Sequence, residues 1–433
     1  MDKLRIGQYS IEYKKNFNRR EISNFILAML GALVSLFGTY IYTFAISLYV
    51  LKITGSGLSF ATNLVLGIIP LIIFSPIAGV MADRFSKKVL VVLMDLMNGI
   101  LLIGLFCISS IYGLNLTMIY VTTFIMTVFS TIFNISFDAA IPNLVSEKNL
   151  MKMNSANKIV GSAASILGPM IGGLVYGFID IRVFIIINGI SFVFSGISEL
   201  FIDFKLNYIN DRERESKKEI SFIKDIKEGF GYIKTKKNII GFINIFIALN
   251  FFIAYSISVP LPFIINNILM LEAGDYGIIQ GAVSIGMILG ALVIKRVSEK
   301  VELNNLLVLM SIVIALCLIL IGIPVMLLHK IVVYNIIYVV YYFSIMLIIG
   351  VTISFVDIPI FYTLQKEISD EYRGRVLSIG LSFAKISQPI GFIISGFLIN
   401  RTPAYLLPMT GGILLLGFNV MILKRSVLKF IQK

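Results

Sequence analysis

The feature that most constrains this chain is a series of long apolar runs separated by short polar segments. A helix needs about 20 mostly apolar residues to cross a bilayer core of about 30 Å, because each residue rises about 1.5 Å along the axis. Twelve runs meet this length, at approximately 22–51, 58–82, 89–111, 115–137, 159–179, 183–202, 239–265, 276–294, 305–327, 331–356, 376–399 and 404–423. Continuous runs indicate helices, because the strands of a membrane barrel alternate polar and apolar residues. The sequence therefore predicts an all-α membrane protein with twelve transmembrane helices.

The composition excludes several other classes of protein. Hydrophobic residues make up 58% of the 433 residues and charged residues 14%, whereas about a quarter of an ordinary soluble domain is charged. Disorder requires low hydrophobicity and high charge, so it is excluded as well. One histidine and two cysteines in apolar runs predict no metal centre and no disulfide scaffold. The sequence has no P-loop and no nucleophile elbow, so we expect no ATP-driven pump, no enzymatic activity and no cofactor.

The positive charges predict how the chain crosses the membrane. All but five of the 37 Lys and Arg residues lie in the two termini and in the loops that share their side of the membrane. The exceptions are Lys52, Arg182, Lys330 and Arg401 on the other side and Lys385 within a run. Cytoplasmic loops retain Lys and Arg, so we expect a cell-membrane protein with both termini in the cytoplasm. The net charge of +13 then reflects topology and anionic lipid headgroups, and we expect no nucleic-acid partner.

The longest polar stretch predicts a division into two halves. It covers 203–238 and separates six runs in 1–202 from six runs in 239–433. Within it, Ile and Phe recur every three or four residues between positions 220 and 233 among several lysines. This pattern is typical of an amphipathic helix on the inner membrane surface, and a solvated basic connector is the alternative.

A weak internal repeat supports this division. The tripeptide Ile-Ser-Phe ends the fourth run at 135–137 and the tenth run at 353–355, and a proline follows each within five residues. Proline recurs in the next run, at Pro169 and at Pro389. The fourth run therefore corresponds to the tenth and the fifth to the eleventh, as expected for two parallel six-helix bundles related by an axis along the membrane normal.

The loop between the second and third runs carries a spaced motif, G-x-x-x-D-R-x-x-[RK]-[RK]. Its residues are Gly79, Asp83, Arg84, Lys87 and Lys88. Glycine allows close helix approach, Asp83 can pair with a helix terminus or a basic side chain, and the basic residues can anchor the loop to lipid headgroups. The motif resembles the loop 2/3 signature of the major facilitator superfamily of secondary transporters, and the six-plus-six layout fits that family over the whole chain. Such a cluster can latch two halves in one state and release them in another.

The fifth run is rich in glycine around a proline. Its motif residues are Gly161, Gly168, Pro169, Gly172 and Gly173. Small residues permit tight packing, expected here against the eighth run, and the proline bends the helix and frees a backbone carbonyl. The segment is similar to the glycine-proline signature of drug-exporting members of that superfamily, which favours export over import.

Two further segments resemble one exporter branch of the superfamily. They are 142–157, from Pro-Asn-Leu-Val to Asn-Ser-Ala-Asn, and 372–376, Tyr-Arg-Gly-Arg-Val. Both are similar to segments of macrolide-efflux and siderophore-efflux proteins. The fourth run departs from many drug/proton antiporters, because it contains no Lys or Arg where they have an arginine. This departure leaves the route of proton coupling open.

Ionisable residues inside apolar runs are candidate functional residues, because a charge in hydrocarbon is unfavourable unless it is paired or faces water. Lys385 lies near the middle of the eleventh run and is interpreted as an anion contact or a partner for a carboxylate. Asp95 lies six residues into the third run and either functions in transport or braces the basic loop 2/3. Asp138, Asp357 and Glu199 lie at the ends of their runs, where we favour helix-end polarity. The candidate membrane-embedded charges are Asp95, Asp138, Asp357 and Lys385.

In the resembled fold, the first, fourth, seventh and tenth helices line a central cavity. In this chain those runs offer aromatic, hydroxyl and amide side chains without a central acid. The candidate substrate contacts are Tyr40, Asn134, Asn250, Tyr255 and Tyr341. Such a lining suits a bulky amphiphile held by contact area and a few hydrogen bonds. For any one of these residues, helix packing or an interfacial tyrosine belt is the alternative.

The sequence thus predicts a secondary active transporter in the lipid bilayer, functioning as a monomer. We expect it to export a hydrophobic or amphiphilic small molecule, such as a macrolide drug, by alternating access against inward proton flow. The absence of a central acid, together with Lys385, also fits export of an anionic or zwitterionic siderophore, lipid or peptide. A non-transporting membrane sensor or assembly partner is the alternative from another class.

Overall fold

The computed structural model describes residues 2–206, 231–327, 334–368 and 370–431. Within these ranges the regular structure is helical, and no strand is present. Most of the amphipathic pattern predicted for the central segment lies in 207–230, outside the described residues.

The helices follow the order of the predicted runs. Helices α1 to α7 are Asp2–Thr54, Gly57–Leu66, Ile69–Arg84, Lys87–Tyr112, Leu116–Leu144, Glu147–Phe178 and Ile181–Leu200. Helix α8, Lys237–Ile253, continues through a π-helical turn, Ala254–Ser258, into the short α9, Pro260–Phe263, and a second π-helical turn, Ile264–Ile268. Helices α10 to α14 are Ala273–Ser298, Leu303–Leu327, Asn335–Glu367, Asp370–Ile399 and Leu406–Ile431.

The prediction of twelve transmembrane helices is confirmed. Ten stretches of the described chain are long and apolar enough to cross a membrane, and two shorter apolar helices, Lys385–Ile399 and Leu406–Asn419, complete the set. Helices α2 and α3 together form the second crossing, and α8, α9 and the π-helical turns form the seventh. The chain is therefore a multi-pass membrane protein.

Prolines explain why two crossings are not single regular helices. The second crossing is interrupted at Gly67 and Ile68, and α3 begins with Pro70 in its first turn. A proline is tolerated there because its missing N–H has no partner within the helix. In the seventh crossing, Pro260 and Pro262 lie between the two π-helical turns, whose wider winding accommodates residues that cannot donate a hydrogen bond.

The helices form two compact units. The first unit comprises Met1–Thr43, Pro70–Gly168 and Ile179–Glu219. The second unit comprises Phe44–Ile69, Pro169–Phe178 and Ile220–Lys433. The second unit therefore contains the C-terminal ends of α1 and α6 and the whole of α2, in addition to α8 to α14.

Each unit is packed through buried apolar side chains and close helix contacts. In the first unit, Val91, Phe133 and Leu144 belong to the buried core. In the second unit, a Cβ added at Gly286 of α10 would lie 2.2 Å from the carbonyl oxygen of Leu347 on α12. This distance leaves no room for a side chain, so the two helices pack backbone to backbone. Close packing of this kind holds membrane helices together where lipid removes the hydrophobic driving force.

Candidate functional site

The loop 2/3 motif lies at the junction of α3 and α4. Asp83 and Arg84 end α3 and are exposed, and Lys87 begins α4. A Cβ added at Gly79 would meet no atom within 4 Å, so the close helix approach predicted for this glycine is absent from the described residues. The exposed acid and arginine are the parts of the motif that another segment could reach.

Lys88 has a contact that the sequence did not indicate. Its Nζ donates to the carbonyl oxygen of Leu200 at 2.6 Å and to that of Ile202 at 3.1 Å. These carbonyls lie at the C-terminal end of α7, where the last C=O groups of a helix lack partners and a cation is favourable. Lys88 therefore connects the start of α4 with the end of α7. The sequence predicted that it would reach lipid headgroups instead.

The glycine-proline motif of α6 packs against two helices. A Cβ added at Gly168 would lie 2.5 Å from Tyr40 Cβ on α1. One added at Gly173 would lie 2.6 Å from Gly277 Cα on α10. The contact between the fifth and eighth crossings, predicted from the small residues, is therefore present.

The other residues of this motif have different surroundings. Pro169 lies inside α6, and Gly172 is buried. A Cβ added at Gly161 would meet no atom within 4 Å. Tight packing is therefore confined to the C-terminal part of the motif.

Within the second unit, the end of α1 and the start of α2 contact α10 and the end of α13. The backbone N–H of Gly57 donates to Asn400 Oδ1 at 3.3 Å, and Asn400 Nδ2 donates to Ser56 Oγ at 3.3 Å. Phe44 stacks on Tyr276 with 5.6 Å between ring centroids. Ends of α1 and α2 thus make direct contacts with α10 and with the end of α13.

Three candidate substrate contacts lie in the second unit, and a neighbouring helix holds each of them. Asn250 Oδ1 accepts a hydrogen bond from Gln388 Nε2 at 2.8 Å. The Tyr255 side chain is 9% exposed, and its hydroxyl lies 3.2 Å from Thr410 Oγ1. The hydroxyl of Tyr341 donates to a backbone carbonyl of α11 at 2.7 Å. Asn250 and Tyr341 are half-buried, whereas helix packing accounts for Tyr255.

The other two candidate substrate contacts lie in the first unit. Tyr40 on α1 is 39% exposed, and Asn134 on α5 is half-buried. Next to them, Thr39 Oγ1 lies 3.3 Å from Ser130 Oγ, which also accepts a hydrogen bond from Asn98 Nδ2 at 3.3 Å. Hydroxyl and amide groups of α1, α4 and α5 are therefore joined beside the two candidates.

Asp95 and Glu199 are both fully buried against α1. The Ser35 hydroxyl donates to Asp95 Oδ2 and lies 3.2 Å from Ser195 Oγ on α7. A Cβ added at Gly31 would lie 2.7 Å from Glu199 Oε1. Asp95 thus contacts α1 rather than the basic residues of loop 2/3. Glu199 lies at the end of α7, as expected, but it is fully buried beside Gly31 of α1, so it is not an exposed helix-end acid.

The remaining embedded charges have other surroundings. Asp138 is exposed near the end of α5, where its Oδ1 accepts a hydrogen bond from Asn157 Nδ2 at 2.8 Å, in keeping with helix-end polarity. Asp357 is half-buried on α12 and lies ten residues before the end of that helix, so the helix-end interpretation is wrong for this residue. Lys385 is exposed near the midpoint of α13.

A small apolar pocket lies among α8, α12 and α13 of the second unit. The free space within it and outside its open mouth is about 350 Å³, part of which is bulk solvent. Its lining residues are Phe242, Ile243, Phe246, Ile360, Phe361, Leu364, Val376 and Gly380. Phe246 and Phe361 meet edge to face with 5.6 Å between ring centroids. An uncharged lining of this kind accepts an apolar group.

Sequence reasoning missed the proximity of Glu199 to Asp95. A signal was available in the first run, where Gly31 and Ser35 lie four residues apart and therefore on one face of α1. A face of small residues leaves room for polar side chains from neighbouring helices. Which helices supply them depends on the tertiary arrangement, which the sequence does not give.

Comparisons with known proteins agree with this architecture. The family model described as Major Facilitator Superfamily matches residues 28–392. The chain is 24% identical over 371 residues to macrolide efflux protein A of Streptococcus pyogenes, a match covering 86% of this chain and 88% of that protein. It is 24% identical over 204 residues to the uncharacterized MFS-type transporter YfiS of Bacillus subtilis, covering 46% of this chain and 47% of that protein.

Solved structures share the fold. The nucleoside transporter NupG has a TM-score of 0.68 at 16% identity, over 95% of this chain and 99% of that chain. A bacterial homologue of the iron transporter ferroportin, in an inward-facing state, has a TM-score of 0.67 at 16% identity. The match covers 93% of this chain and 98% of that chain. Because the family model covers most of the chain and the twelve crossings agree with it, the chain belongs to the major facilitator superfamily of membrane transporters.

Proposed function

We propose that the chain is a secondary active exporter of a hydrophobic or amphiphilic small molecule, coupled to inward proton flow. The observation that carries this proposal is the similarity to macrolide efflux protein A, which extends over 86% of this chain. A match along nearly the whole length includes the helices that form the cavity in the family. A macrolide is therefore the first substrate to test.

The pocket among α8, α12 and α13 supports an apolar substrate. Its lining has no charged side chain, and two phenylalanine rings, Phe246 and Phe361, meet at its wall. Binding of an amphiphile to such a surface depends on contact area, while a few polar groups fix its orientation. Half-buried Asn250 and Tyr341 supply polar groups in the same unit.

The proposed mechanism is alternating access with both termini in the cytoplasm. Lys and Arg are concentrated on the side of the termini, and cytoplasmic loops retain these residues. Release to the outside then requires the contacts of Ser56 and Gly57 with Asn400 to break. We assign the latch at the cytoplasmic side to the loop 2/3 motif, with the exposed Asp83 and Arg84 as its contact residues.

The experiment is an accumulation assay in cells that lack their own exporters. Cells that express the chain should accumulate less radiolabelled macrolide than cells with an empty vector, and a protonophore should remove the difference. Asp83→Asn should cut export several-fold at equal expression, with Glu147→Gln, a change at another exposed acid of the first unit, as the matched control. Equal accumulation with and without the chain for every substrate tested, or no flux in proteoliposomes, would favour a non-transporting sensor or assembly partner.

Export of an anionic or zwitterionic substrate is the second candidate. It rests on the position of Lys385, an exposed cation near the midpoint of α13, where an anionic group of a substrate could contact it. Lys385→Met should then reduce efflux of an anionic dye several-fold and leave efflux of a cationic dye unchanged. An equal effect on both dyes would contradict this candidate.

A further inference from the structure

Two acidic side chains are enclosed in the first unit. Asp95 on α4 and Glu199 on α7 are both 0% exposed, and both contact α1. The Ser35 hydroxyl donates to Asp95, and the carboxylate of Glu199 lies against Gly31. Gly31 and Ser35 are one helical turn apart, so the two carboxylates contact α1 at positions about 6 Å apart along its axis.

The two carboxylates lack the partners that an ionised acid needs. Oδ1 of Asp95 and both carboxylate oxygens of Glu199 are buried and have no hydrogen-bond partner among the described residues. One turn along α4, Asn98 is 1% exposed, and its Oδ1 is also without a partner in this part of the chain. Buried polar atoms are normally hydrogen-bonded, so this group of unpartnered oxygens indicates a site that a ligand completes.

The charged groups on the surrounding helices are engaged elsewhere. Lys88, on the same face of α4 as Asp95, binds the carbonyls at the end of α7. Glu21 on α1 accepts hydrogen bonds from Ser146, and Lys152 of α6 lies over the ring of Phe25. Other charged groups described on α1, α4, α5 and α7 lie towards the ends of the membrane crossings, namely Arg19, Arg20, Lys52, Lys87, Asp138 and Arg182. Tyr42, two turns beyond Ser35 on α1, is buried and uncharged.

No cation therefore faces the pair within the residues that the structure describes. Two ionised carboxylates in this position would repel each other and would both lose their hydration. A proton removes one of the charges and gives its carboxyl group a hydrogen to donate. A proton is thus the ligand that best fits two acids, two hydroxyl groups and a site closed to water.

We propose that Asp95 and Glu199 form a proton-binding pair. Binding transfers one proton from hydronium to a carboxylate oxygen, so that one O–H bond forms and one water molecule is released; release is the reverse. The proposal deepens the proposed function and rests on it, because it assigns the coupling ion to named groups. It also gives proton coupling a location other than the arginine that the fourth crossing lacks.

A line of polar groups leads from the pair towards the candidate substrate contacts. Ser195 Oγ lies 3.2 Å from Ser35 Oγ. Thr39 Oγ1 donates to the Ser35 carbonyl at 2.8 Å and lies 3.3 Å from Ser130 Oγ on α5. The Ser35 carbonyl can only accept a hydrogen bond, so these contacts hold Thr39 beside the pair and do not form a continuous relay of hydroxyl groups. Thr39 directly precedes the candidate substrate contact Tyr40, so the polar groups extend from the pair towards that part of α1.

The test detects the protonated carboxyl group directly and needs no substrate. The full chain in lipid nanodiscs is titrated while infrared difference spectroscopy follows the C=O stretching band of protonated carboxyl groups. We expect the unmodified chain to keep such a band at neutral pH, with a shift in D2O. Asp95→Asn and Glu199→Gln should each shift the band, because the remaining buried acid keeps a proton, and the double variant should remove it. Glu147→Gln, which changes an exposed carboxylate of the same unit at the start of α6, is the matched control and should leave it unchanged.

Three results would overturn the proposal. The first is an unmodified chain with no protonated-carboxyl band at neutral pH, a result that does not depend on any variant folding. The second is a band that remains in the double variant. The third is a band that disappears when Na⁺ replaces choline at constant pH, which would identify a metal cation as the ligand. A normal band in a chain that exports nothing would instead refute the proposed function and leave the proton-binding pair in place.

Discussion

Two helix pairs, one in each unit, have the same close packing. In the first unit α4 packs on α7, and a Cβ added at Gly99 would lie 2.5 Å from Val193 Cγ2. In the second unit α11 packs on α14, and a Cβ added at Gly412 would lie 2.5 Å from the carbonyl oxygen of Ala315. By the internal repeat, α4 corresponds to α11 and α7 to α14.

The polar groups inside these two helix pairs differ in chemistry. Asp95 lies eight residues after the start of α4, and Ser311 lies eight residues after the start of α11. Around Asp95 the buried groups include the acid Glu199, whereas Ser311 Oγ donates to the neutral Asn419 at 2.7 Å. Neutral groups therefore suffice to join two helices in this way. The acids of the first unit are therefore not required for the fold, which supports a role for them in transport.

The largest effect is expected from breaking the packing that the two pairs share. Gly99→Leu should lower the free energy of unfolding by at least about 3 kcal/mol, because the added side chain overlaps Val193 and the backbone of α7. Thermal unfolding in detergent, followed by size-exclusion chromatography, measures the loss. Gly104→Leu on the same helix is the control, because a Cβ there meets no atom within 4 Å. Equal melting temperatures for the two variants would contradict the packing described.

The next effect comes from making the neutral pair ionisable. Asn419 is 3% exposed and already accepts the hydrogen bond from Ser311, so Asn419→Asp keeps that bond and adds a buried acid. We expect a loss of about 1–3 kcal/mol at neutral pH, since a buried acid must be held protonated or left unsolvated. Stability should fall further at alkaline pH. A variant as stable as the unmodified chain at every pH would show that this site tolerates charge.

The converse change, from buried acid to amide in the first unit, should make the stability of the chain depend less on pH. If the pair of Asp95 and Glu199 holds a proton that the unfolded chain releases at neutral pH, the folded state binds more protons and stability falls as the pH rises. The slope is up to about 1.4 kcal/mol per pH unit for one proton. The double variant Asp95→Asn with Glu199→Gln should flatten the dependence of melting temperature on pH between neutral and alkaline values, because neither buried acid is left to hold a proton. An unchanged slope would contradict the proton-binding pair.

The smallest effect separates the roles of two serines. Ser35→Ala and Ser311→Ala each remove one buried hydrogen bond, to Asp95 and to Asn419, and should each cost about 1 kcal/mol of stability. Only Ser35→Ala should lower proton-driven export, because only Ser35 contacts an acid that we assign to coupling. Parallel measurements of melting temperature and export test this. Equal losses of export in both variants would remove the distinction between the two units.

Hydropathy and charge were sufficient to predict the crossings, because each crossing is decided within its own 20 or so residues. The run at 58–82 was predicted as one helix, and the structure interrupts it before Pro70. A proline in an apolar run is compatible with a kink or with a new first turn, and the local sequence does not decide between them. Local composition therefore predicts the number of crossings better than their internal geometry.

The candidate site was less predictable, because it depends on contacts between distant parts of the chain. Gly173 was correctly expected to pack against the eighth crossing, since a glycine-rich helix face needs a close neighbour. Gly79 is also a glycine in a motif, yet no atom lies near its Cβ position among the described residues. Glu199 has the sequence position of a helix-end acid, and only the placement of Gly31 on α1 shows that it is buried.

The most direct test of the account is gradient-driven transport by inside-out vesicles that contain the full chain. With an acidic interior, such vesicles should accumulate a radiolabelled macrolide, and a protonophore should abolish the accumulation. Asp95→Asn and Glu199→Gln should each lose the gradient-driven part, whereas Glu147→Gln, at an exposed acid of the same unit, should keep it. Accumulation that does not depend on the proton gradient, or that is undiminished in the Asp95 and Glu199 variants, would contradict the account.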